Sequence, residues 1–297
     1  MTRLIVNADD FGLTSGVNRA ILGLHRAGVL TSATLMARAA ATDAAIEIAK
    51  ATPSLGVGCH IVLVDGEPVL SAGRDIPNIS QATRQLFLPS LGRFVSAIYN
   101  QSTLAKIDYQ IQIEARAQIQ SLQSHGVLLT HIDTHKHTHM FPRVLRPVLR
   151  AARSCGIRAV RNPFEPAWSV SATPGAPFIR RTQVGLLRLL QSTFRRVVSE
   201  EGFTTTDGAL GVLATGTLDS RTIDSLLSAL PPDRTYELVT HPGYNDEDLA
   251  KANTRLLASR EIEQEALMGL RETQNLELIC FSDLQGAGPL ESKSGLG

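Results

Sequence analysis

A chain of 297 residues with 43% hydrophobic and 19% charged residues can bury a substantial core and has the balance of a globular protein. A formal net charge of +1, with no basic run, gives no electrostatic reason to expect a nucleic acid partner. No stretch approaches the roughly 20 apolar residues of a transmembrane segment, the first residues do not resemble a signal peptide, and three cysteines make no disulfide framework. We therefore expect a cytoplasmic protein.

Short apolar runs alternate with amphipathic segments along the chain. The apolar runs are predicted strands, at Leu4–Ala8, Ala33–Ala37, Leu55–His60, Leu128–Asp133, Arg158–Arg161, Gly211–Ala214, Tyr236–His241 and Leu276–Phe281. Unbroken apolar runs of this length are typical of parallel strands covered on both faces. Apolar residues at helical spacing predict helices over Ser15–Ala27, Asp108–His125 and Pro142–Cys155.

This alternation of strands and helices predicts the fold class, α/β. It favours a predominantly parallel sheet in a closed or nearly closed (β/α) barrel over two separate domains. We expect one such domain over residues 1–284. Two stretches, 66–103 and 162–207, interrupt the alternation and are expected to be long binding loops or lids. The small, polar tail at 285–297 is predicted to be disordered.

Four of the eight histidines lie in the segment THIDTHKHTHMFP: His131, His135, His137 and His139. In an extended chain they would share one side with Asp133. The strand is expected to end near Asp133 or Thr134, so at most two or three of these groups can reach one metal ion. The others would contact the ligands or the substrate, or simply lie at the rim. The alternative is a surface His-rich tract that binds metal incidentally.

Titratable residues follow the ends of five predicted strands. They are Asp9 and Asp10, then His60, then Asp133 and His135, then Arg161, and finally His241. Because the carboxyl ends of parallel barrel strands share one rim, these distant residues are expected to converge on one site. Each also has an ordinary alternative role: an aspartate can cap the next helix, His241 can open a Pro-Gly turn, and Arg161 can be a surface charge. Only one aspartate can cap, however, and adjacent like charges repel.

Such residues can perform metal-assisted hydrolysis. One carboxylate and two imidazoles bind a divalent ion while leaving coordination positions for water and substrate. Imidazole ligands favour zinc, and also iron, cobalt, nickel or manganese, over magnesium. The second aspartate would act as general base on water, His241 would protonate the leaving group, and Arg161 would hold the base in its charged form.

Four motifs resemble the signature of the YdjC-like carbohydrate deacetylases. They are NADDFG at 7–12, GCH at Gly58–His60, the histidine-rich segment at 130–142 and THPGY at Thr240–Tyr244. This family includes the ChbG chitooligosaccharide deacetylases and the HpnK proteins associated with hopanoid glycolipids. The resemblance spans residues 1–284. It implies a distorted, TIM-like (β/α) barrel related to the NodB-type polysaccharide deacetylases, with the active site at the C-terminal rim. It also implies one divalent ion and hydrolysis of the N-acetyl group of an amino sugar.

The resemblance also implies a role for each site residue. Asp10, His60 and His135 would be the metal ligands, Asp9 the base that activates water, His241 the acid that protonates the departing amine, and Arg161 the residue that supports Asp9. Lys136 stands where some relatives have another histidine, which argues against a fourth imidazole ligand.

The substrate and the oligomeric state are left open by the sequence. Residues 66–103 and 162–207 match the family poorly, so the substrate is open between chitooligosaccharides, glycolipid head groups and other N-acetylated sugars. A homodimer is expected because two-fold dimers are the commonest soluble oligomers. Two alternative functions remain: a metal-dependent phosphoesterase or other amidohydrolase, and a non-catalytic protein that binds metal or sugar.

Overall fold

The fold is a curled, mostly parallel sheet that forms a half-barrel surrounded by helices. The structure, a computed structural model, describes residues 1–100, 102, 104–270 and 275–286. The strands are β1 (Thr2–Phe11), β2 (Ser32–Leu35), β3 (Gly56–Ile61), β4 (Ser80–Gln81), β5 (Leu86–Phe87), β6 (Leu129–Thr134), β7 (Gly208–Leu210), β8 (Thr235–Thr240) and β9 (Leu276–Leu278). The helices are α1 (Ser15–Arg26), α2 (Thr42–Ala51), α3 (Leu91–Ile98), α4 (Leu104–Ser124), α5 (Pro142–Ser154), α6 (Ala167–Ala172), α7 (Phe178–Leu187), α8 (Gln191–Glu200), α9 (Ser220–Ser228), α10 (Glu247–Lys251) and α11 (Ser259–Met268).

The main sheet has the strand order β6-β3-β2-β1-β8-β7, with β9 beside the start of β1. All of its strand pairs are parallel. Two isolated parallel bridges, Ile132 to Val160 and Ala159 to Thr204, extend the sheet beyond β6 toward the segment that precedes β7. The expected distorted, TIM-like (β/α) barrel is therefore confirmed. Strands β4 and β5 form a small antiparallel pair outside this sheet.

The central strands are buried on both faces, which explains their unbroken apolar sequences. In β1, side chains of both parities are fully buried, Leu4 and Val6 as well as Ile5. A strand needs alternating apolar and polar residues only where one face of its sheet meets water. Here helices cover one face of the sheet and the barrel interior covers the other. Among the described residues, no helix combines the length and apolar character needed to cross a membrane.

Three strand predictions need correction. The run Gly211–Ala214 is not a strand: β7 lies three residues earlier, and Gly211, with φ +84°, turns the chain out of the sheet. The run Arg158–Arg161 makes only the two single bridges. The last strand ends at Leu278, and Phe281 already begins a 3-10 helix.

The two interrupting stretches are not structureless. The first contains the β4–β5 pair and α3, and the second contains α6, α7 and α8. The 3-10 helix at Phe281–Gly286 covers the first two residues of the tail that was predicted to be disordered. The rest of that tail, 287–297, lies outside the described residues.

Candidate metal centre and active site

The C-terminal ends of the strands bring the predicted site residues together. Asp9 and Asp10 lie near the end of β1, His60 lies near the end of β3, His135 follows β6, Arg161 follows the bridged segment, and His241 follows β8. Most of these side chains are buried, but His135 is 22% exposed and His241 is 12% exposed. The cluster therefore meets solvent on the side of these two histidines.

Three side chains have the spacing of a metal site. Nε2 of His60 lies 3.6 Å from Oδ1 of Asp10, and Nδ1 of His135 lies 3.7 Å from the same oxygen. The two ring nitrogens are 3.3 Å apart. Ligand atoms about 2.1 Å from a tetrahedral ion would lie about 3.4 Å from one another. Asp10, His60 and His135 thus fit a single divalent cation, in both donor type and spacing.

An irregularity in β1 allows two consecutive aspartates to face one site. Successive side chains of a regular strand point to opposite faces. The pairing of β1 with β2 shifts register between Ala8 and Phe11, and Asp10 adopts a left-handed conformation with φ +63°. This conformation is uncommon outside glycine and is often found at functional sites. Neither aspartate caps the next helix, because Thr14 does so by accepting from the Val17 N–H.

Arg260 on α11 engages the second oxygen of Asp10. Its Nη2 donates to Oδ2 of Asp10 at 2.6 Å, and Arg260 is fully buried. Burial raises the pKa of Asp10, but Arg260, His135 and His60 outweigh it and hold that pKa well below its usual value. Asp10 is therefore ionised and presents one oxygen, Oδ1, to the two histidines.

His60 is oriented by Asp133 and Thr34. Its Nδ1–H donates to Oδ1 of Asp133 at 2.8 Å, so Nε2, the atom that faces Asp10, is the nitrogen that can bind a metal ion once its own proton leaves. The Thr34 hydroxyl lies 3.2 Å from both Nδ1 of His60 and Oδ2 of Asp133. Burial disfavours a charged ring, yet Asp133, Asp9 and Asp10 raise the pKa of His60 to about 9. These carboxylates thus favour positive charge at this position, as a cation site requires.

We expect Asp133→Asn to weaken zinc binding by about 10- to 100-fold, because the partners that orient a metal-bound histidine contribute about that much to affinity. Calorimetric titration of the metal-free protein with zinc would measure the change. Asp108→Asn, which alters a surface ion pair with Arg143, is the matched control. Equal zinc affinities for Asp133→Asn and wild type would contradict the orienting role.

Arg161 holds Asp9 through two parallel hydrogen bonds. Its Nη2 donates to Oδ1 of Asp9 at 2.6 Å, and its Nη1 donates to Oδ2 at 2.8 Å. Oδ1 also accepts from Asn7 at 3.0 Å, so Oδ2 carries fewer donors. Burial raises the pKa of Asp9, but Arg161, His60 and His241 outweigh it and bring that pKa far below its usual value. Arg161 is fully buried and is therefore not a surface charge.

The same guanidinium also contacts two further carboxylates, Asp133 and Glu237. Its Nε donates to Oε1 of Glu237 at 2.8 Å, and Asp133 forms an ion pair with Nη1. Glu237 lies in β8 and is fully buried. Burial, together with the negative charges of Asp9 and Asp133, raises the pKa of Glu237 to about 7, although Arg161 acts in the opposite direction.

The pKa of Glu237 predicts a pH-dependent stability. Between pH 4.5 and about 7 the folded protein holds a proton on Glu237 that the unfolded chain releases, so the free energy of unfolding should fall as pH rises through this window. We expect Glu237→Gln to show a smaller decline than wild type, because the raised pKa values of His60 and His241 contribute to the decline in both proteins. Urea unfolding at about pH 5 and about pH 8 would measure it, with Glu47→Gln on the surface of α2 as control. Parallel pH profiles for wild type and Glu237→Gln would contradict the assignment.

His241 is supported by Glu263 on α11. The His241 backbone N–H donates to Oε2 of Glu263 at 2.6 Å, and the His241 Nδ1 lies 3.8 Å from the same oxygen. On the other side, Nε2 of His241 lies 3.8 Å from Oδ2 of Asp9. Burial disfavours the charged ring, but Glu263, Asp9 and Asp10 outweigh it and raise the pKa of His241. His241 is therefore protonated more readily than a free imidazole, and the protonated ring is the form that a proton donor needs.

The other histidines of the 130–142 segment have different surroundings. His131 stacks on Phe281 at 3.8 Å between ring centres. His139 donates from Nε2 to the carbonyl oxygen of Arg161 at 3.2 Å and accepts at Nδ1 from Thr134. Burial lowers the pKa of His131 and of His137 to about 3 and that of His139 to about 4. The segment is therefore not a surface tract, and His135 alone of its four histidines lies in the Asp10–His60 cluster.

The chain matches a known protein family over nearly its whole length. The sequence model described as "YdjC-like protein" matches residues 3–277. The chain belongs to the YdjC-like family. A carbohydrate deacetylase of Brevibacillus brevis is 32% identical over 294 residues, which cover 95% of this chain and 99% of the relative. A chitooligosaccharide deacetylase of Salmonella typhimurium is 35% identical over 154 residues, 52% of this chain and 57% of the relative.

Solved structures share the fold of this YdjC-like protein. An Enterococcus faecalis protein named for cellobiose-phosphate cleavage superposes with a TM-score of 0.74 at 22% identity, covering 95% of this chain and 98% of the other. A lactam utilization protein of Thermus thermophilus gives a TM-score of 0.51 at 14% identity, covering 94% and 99%. At these identities the likeness concerns the fold alone.

Several residues of this YdjC-like site were not singled out from the sequence. They are Thr34, Glu237, Arg260 and Glu263, and the contact of Asp133 with His60 was also missed. Glu237 could have been recognised as a candidate site residue from the sequence, because it is a charged residue inside the apolar run YELVT. Arg260 and Glu263 are three residues apart and share one face of α11, but such a pair is common on solvent-exposed helices.

Proposed function

We propose that this protein is a metal-dependent carbohydrate deacetylase that hydrolyses the N-acetyl group of an N-acetylglucosamine-type sugar, in an oligosaccharide or a glycolipid head group. The observation that carries the proposal is the convergence of Asp10, His60 and His135 beside the Arg161-bound Asp9. Similarity to a carbohydrate deacetylase along 95% of the chain supports the substrate class. The absence of a membrane-crossing helix among the described residues is compatible with the cytoplasmic location that we propose.

The proposed cofactor is one divalent ion held by Asp10, His60 and His135. Two imidazoles and one carboxylate favour zinc, with cobalt, nickel, manganese or magnesium as alternatives. When bound, such an ion polarises the amide carbonyl and makes water more acidic. The ion pair with Arg161 gives the Asp9 carboxylate a low proton affinity, so Asp9 can act as a base only on water that has been made more acidic in this way.

The protein's own groups would move the protons of the reaction. Oδ2 of Asp9, which carries fewer donors than Oδ1, would take a proton from water. Nε2 of His241, 3.8 Å from that oxygen, would give a proton to the amide nitrogen as its bond to the acetyl carbon breaks. Arg161 would keep Asp9 in place and ionised, and Glu263 would keep His241 protonated. Water and the N-acetyl sugar would thus yield acetate and the free amine.

The phosphoesterase alternative is less well supported. Enzymes with two metal ions need a second set of ligands, and the neighbouring set, Asp9, His60 and Asp133, is close enough for an ion. Arg161 already donates to Asp9 and pairs with Asp133. Its guanidinium therefore supplies the positive charge that a second ion would bring.

A substrate screen tests the proposed function. The protein would be incubated with N-acetylglucosamine, diacetylchitobiose and N-acetylated glycolipid head groups, with each candidate metal, and acetate and free amine would be measured. We expect equal amounts of both products from at least one sugar. Release of phosphate from phosphate esters, with two metal ions bound per chain, would instead support the phosphoesterase.

A further inference from the structure

Helix α7 and the 3-10 turn after it, Arg188–Leu190, present large apolar side chains to solvent. The exposed fractions are 81% for Phe178, 69% for Ile179, 67% for Leu186 and 73% for Leu189, and no residue of α7 is buried. At about 100° per residue these four side chains fall on one side of the helix. We call them the apolar face. Contiguous exposed apolar groups of this kind usually mark an interaction surface.

The chain around the apolar face is strongly basic. Between residues 166 and 199, a stretch bordered by Glu165 and Glu200, there are five arginines and no aspartate or glutamate, although the whole chain has a net charge of only +1: Arg180, Arg181, Arg188, Arg195 and Arg196. Arg181 donates to the carbonyl oxygens of Val170, Thr173 and Ala176, and Arg195 donates to that of Asp207. Hydrogen bonds to carbonyl groups cancel no net charge, whereas Arg180 interacts with Glu165 and Arg196 with Glu200. The remaining excess of positive charge, on Arg181, Arg188 and Arg195, attracts anions.

The apolar face belongs to the same end of the barrel as the candidate site. Nη1 of Arg180 donates to the carbonyl oxygen of Thr215 at 3.1 Å, in the loop that follows β7. The next residue, Gly216, donates its N–H to Glu263 at 3.4 Å. Glu263 in turn contacts His241. The contacts of Arg180 with Thr215 and of Gly216 with Glu263 therefore connect α7 with the residue that supports His241, the proposed acid.

We propose that the apolar face docks on the surface of a lipid bilayer that contains anionic lipids. The apolar side chains would enter the interface between headgroups and acyl chains, and the arginines would attract the lipid phosphates. Docking in this way would turn the C-terminal rim toward the bilayer. A second copy of the chain fits this face less well, because a two-fold interface would bring together the uncompensated arginines of both copies, Arg181, Arg188 and Arg195. The proposal does not depend on the proposed deacetylase activity.

Vesicle flotation tests the docking surface. The purified protein would be mixed with vesicles of phosphatidylcholine alone, or of phosphatidylcholine and phosphatidylglycerol in equal parts. We expect binding to the anionic vesicles, weaker binding to the neutral ones, and a decrease with added salt. Changing Leu186→Ser together with Leu189→Ser should reduce affinity for anionic vesicles roughly ten-fold or more.

A matched pair of substitutions controls for exposed apolar surface in general. Leu128 is 86% exposed just before β6, and Tyr109 is 65% exposed on α4. Leu128→Ser with Tyr109→Ser should leave vesicle binding unchanged. Circular dichroism and thermal unfolding would verify that both double variants fold. Two results would overturn the proposal: no binding of wild type to anionic vesicles, or a wild-type dimer in sedimentation that Leu186→Ser with Leu189→Ser dissociates, which would assign the face to a second copy.

Discussion

Asp9→Asn is expected to keep a bound divalent ion and to lose about 10²- to 10⁴-fold in turnover, the usual contribution of a general base. The amide of asparagine can still accept a hydrogen bond from Arg161, but it cannot take a proton from water. The measurements are acetate release at saturating substrate and metal content by mass spectrometry. Both are needed, because retention of the metal separates loss of the base from loss of the site.

The control for Asp9→Asn is Asp43→Asn, in the first turn of α2 and outside the site. It should match wild type in turnover and in metal content. Full acetate release by Asp9→Asn would show that another group acts as the base. Loss of the metal from Asp9→Asn would mean that Asp9, rather than Asp10, contributes the carboxylate ligand.

Removal of the metal is the second change for which we expect a large effect. Dialysis against a chelator should abolish acetate release from the wild-type protein, and added zinc or another suitable ion should restore it. His60→Ala should bind no ion and remain inactive after the same addition. The reason is geometric: Nε2 of His60 lies within 3.6 Å of both Asp10 Oδ1 and His135 Nδ1, so its loss leaves one imidazole and one carboxylate.

His137→Ala is the matched control for His60→Ala, since it removes an imidazole from the histidine-rich segment without touching the proposed ligands. It should retain the ion. If His137→Ala instead lost all metal while His60→Ala kept it, the segment would be a metal-binding tract and the proposed centre would be wrong. Deacetylation at the full rate by the wild-type protein after complete removal of the metal would also contradict the proposal.

The convergence of the site residues could be predicted because it follows from topology. Every parallel strand delivers its next residues to the same rim, so His60 and His241 could be placed together despite their separation in the chain. The apolar runs also located β1, β3, β6 and β8 to within a few residues. The error at Gly211–Ala214 shows the limit of such runs, because apolar residues in a tight turn look like those in a strand.

Other features of the site depend on conformation that residue patterns do not encode. Simple alternation would place Asp9 and Asp10 on opposite faces, and only the register shift in β1 brings both into the site. Lys136 and His137 have φ values of 54° and 51°, so the chain after His135 leaves the extended form in which all the histidines would share a side. Arg260 contacts Asp10 across 250 residues of sequence, and no local signal marks such a pair.

One turn of α11 carries both Arg260, the partner of Asp10, and Glu263, the partner of His241. These two residues come from the last tenth or so of the described sequence, whereas the six side chains predicted for the site all precede Pro242. During synthesis on the ribosome, those six would emerge well before either partner. A nascent chain that stopped short of Ser259 would possess every group named for the chemistry, yet Asp10 would lack Arg260 and His241 would lack Glu263 until α11 was made.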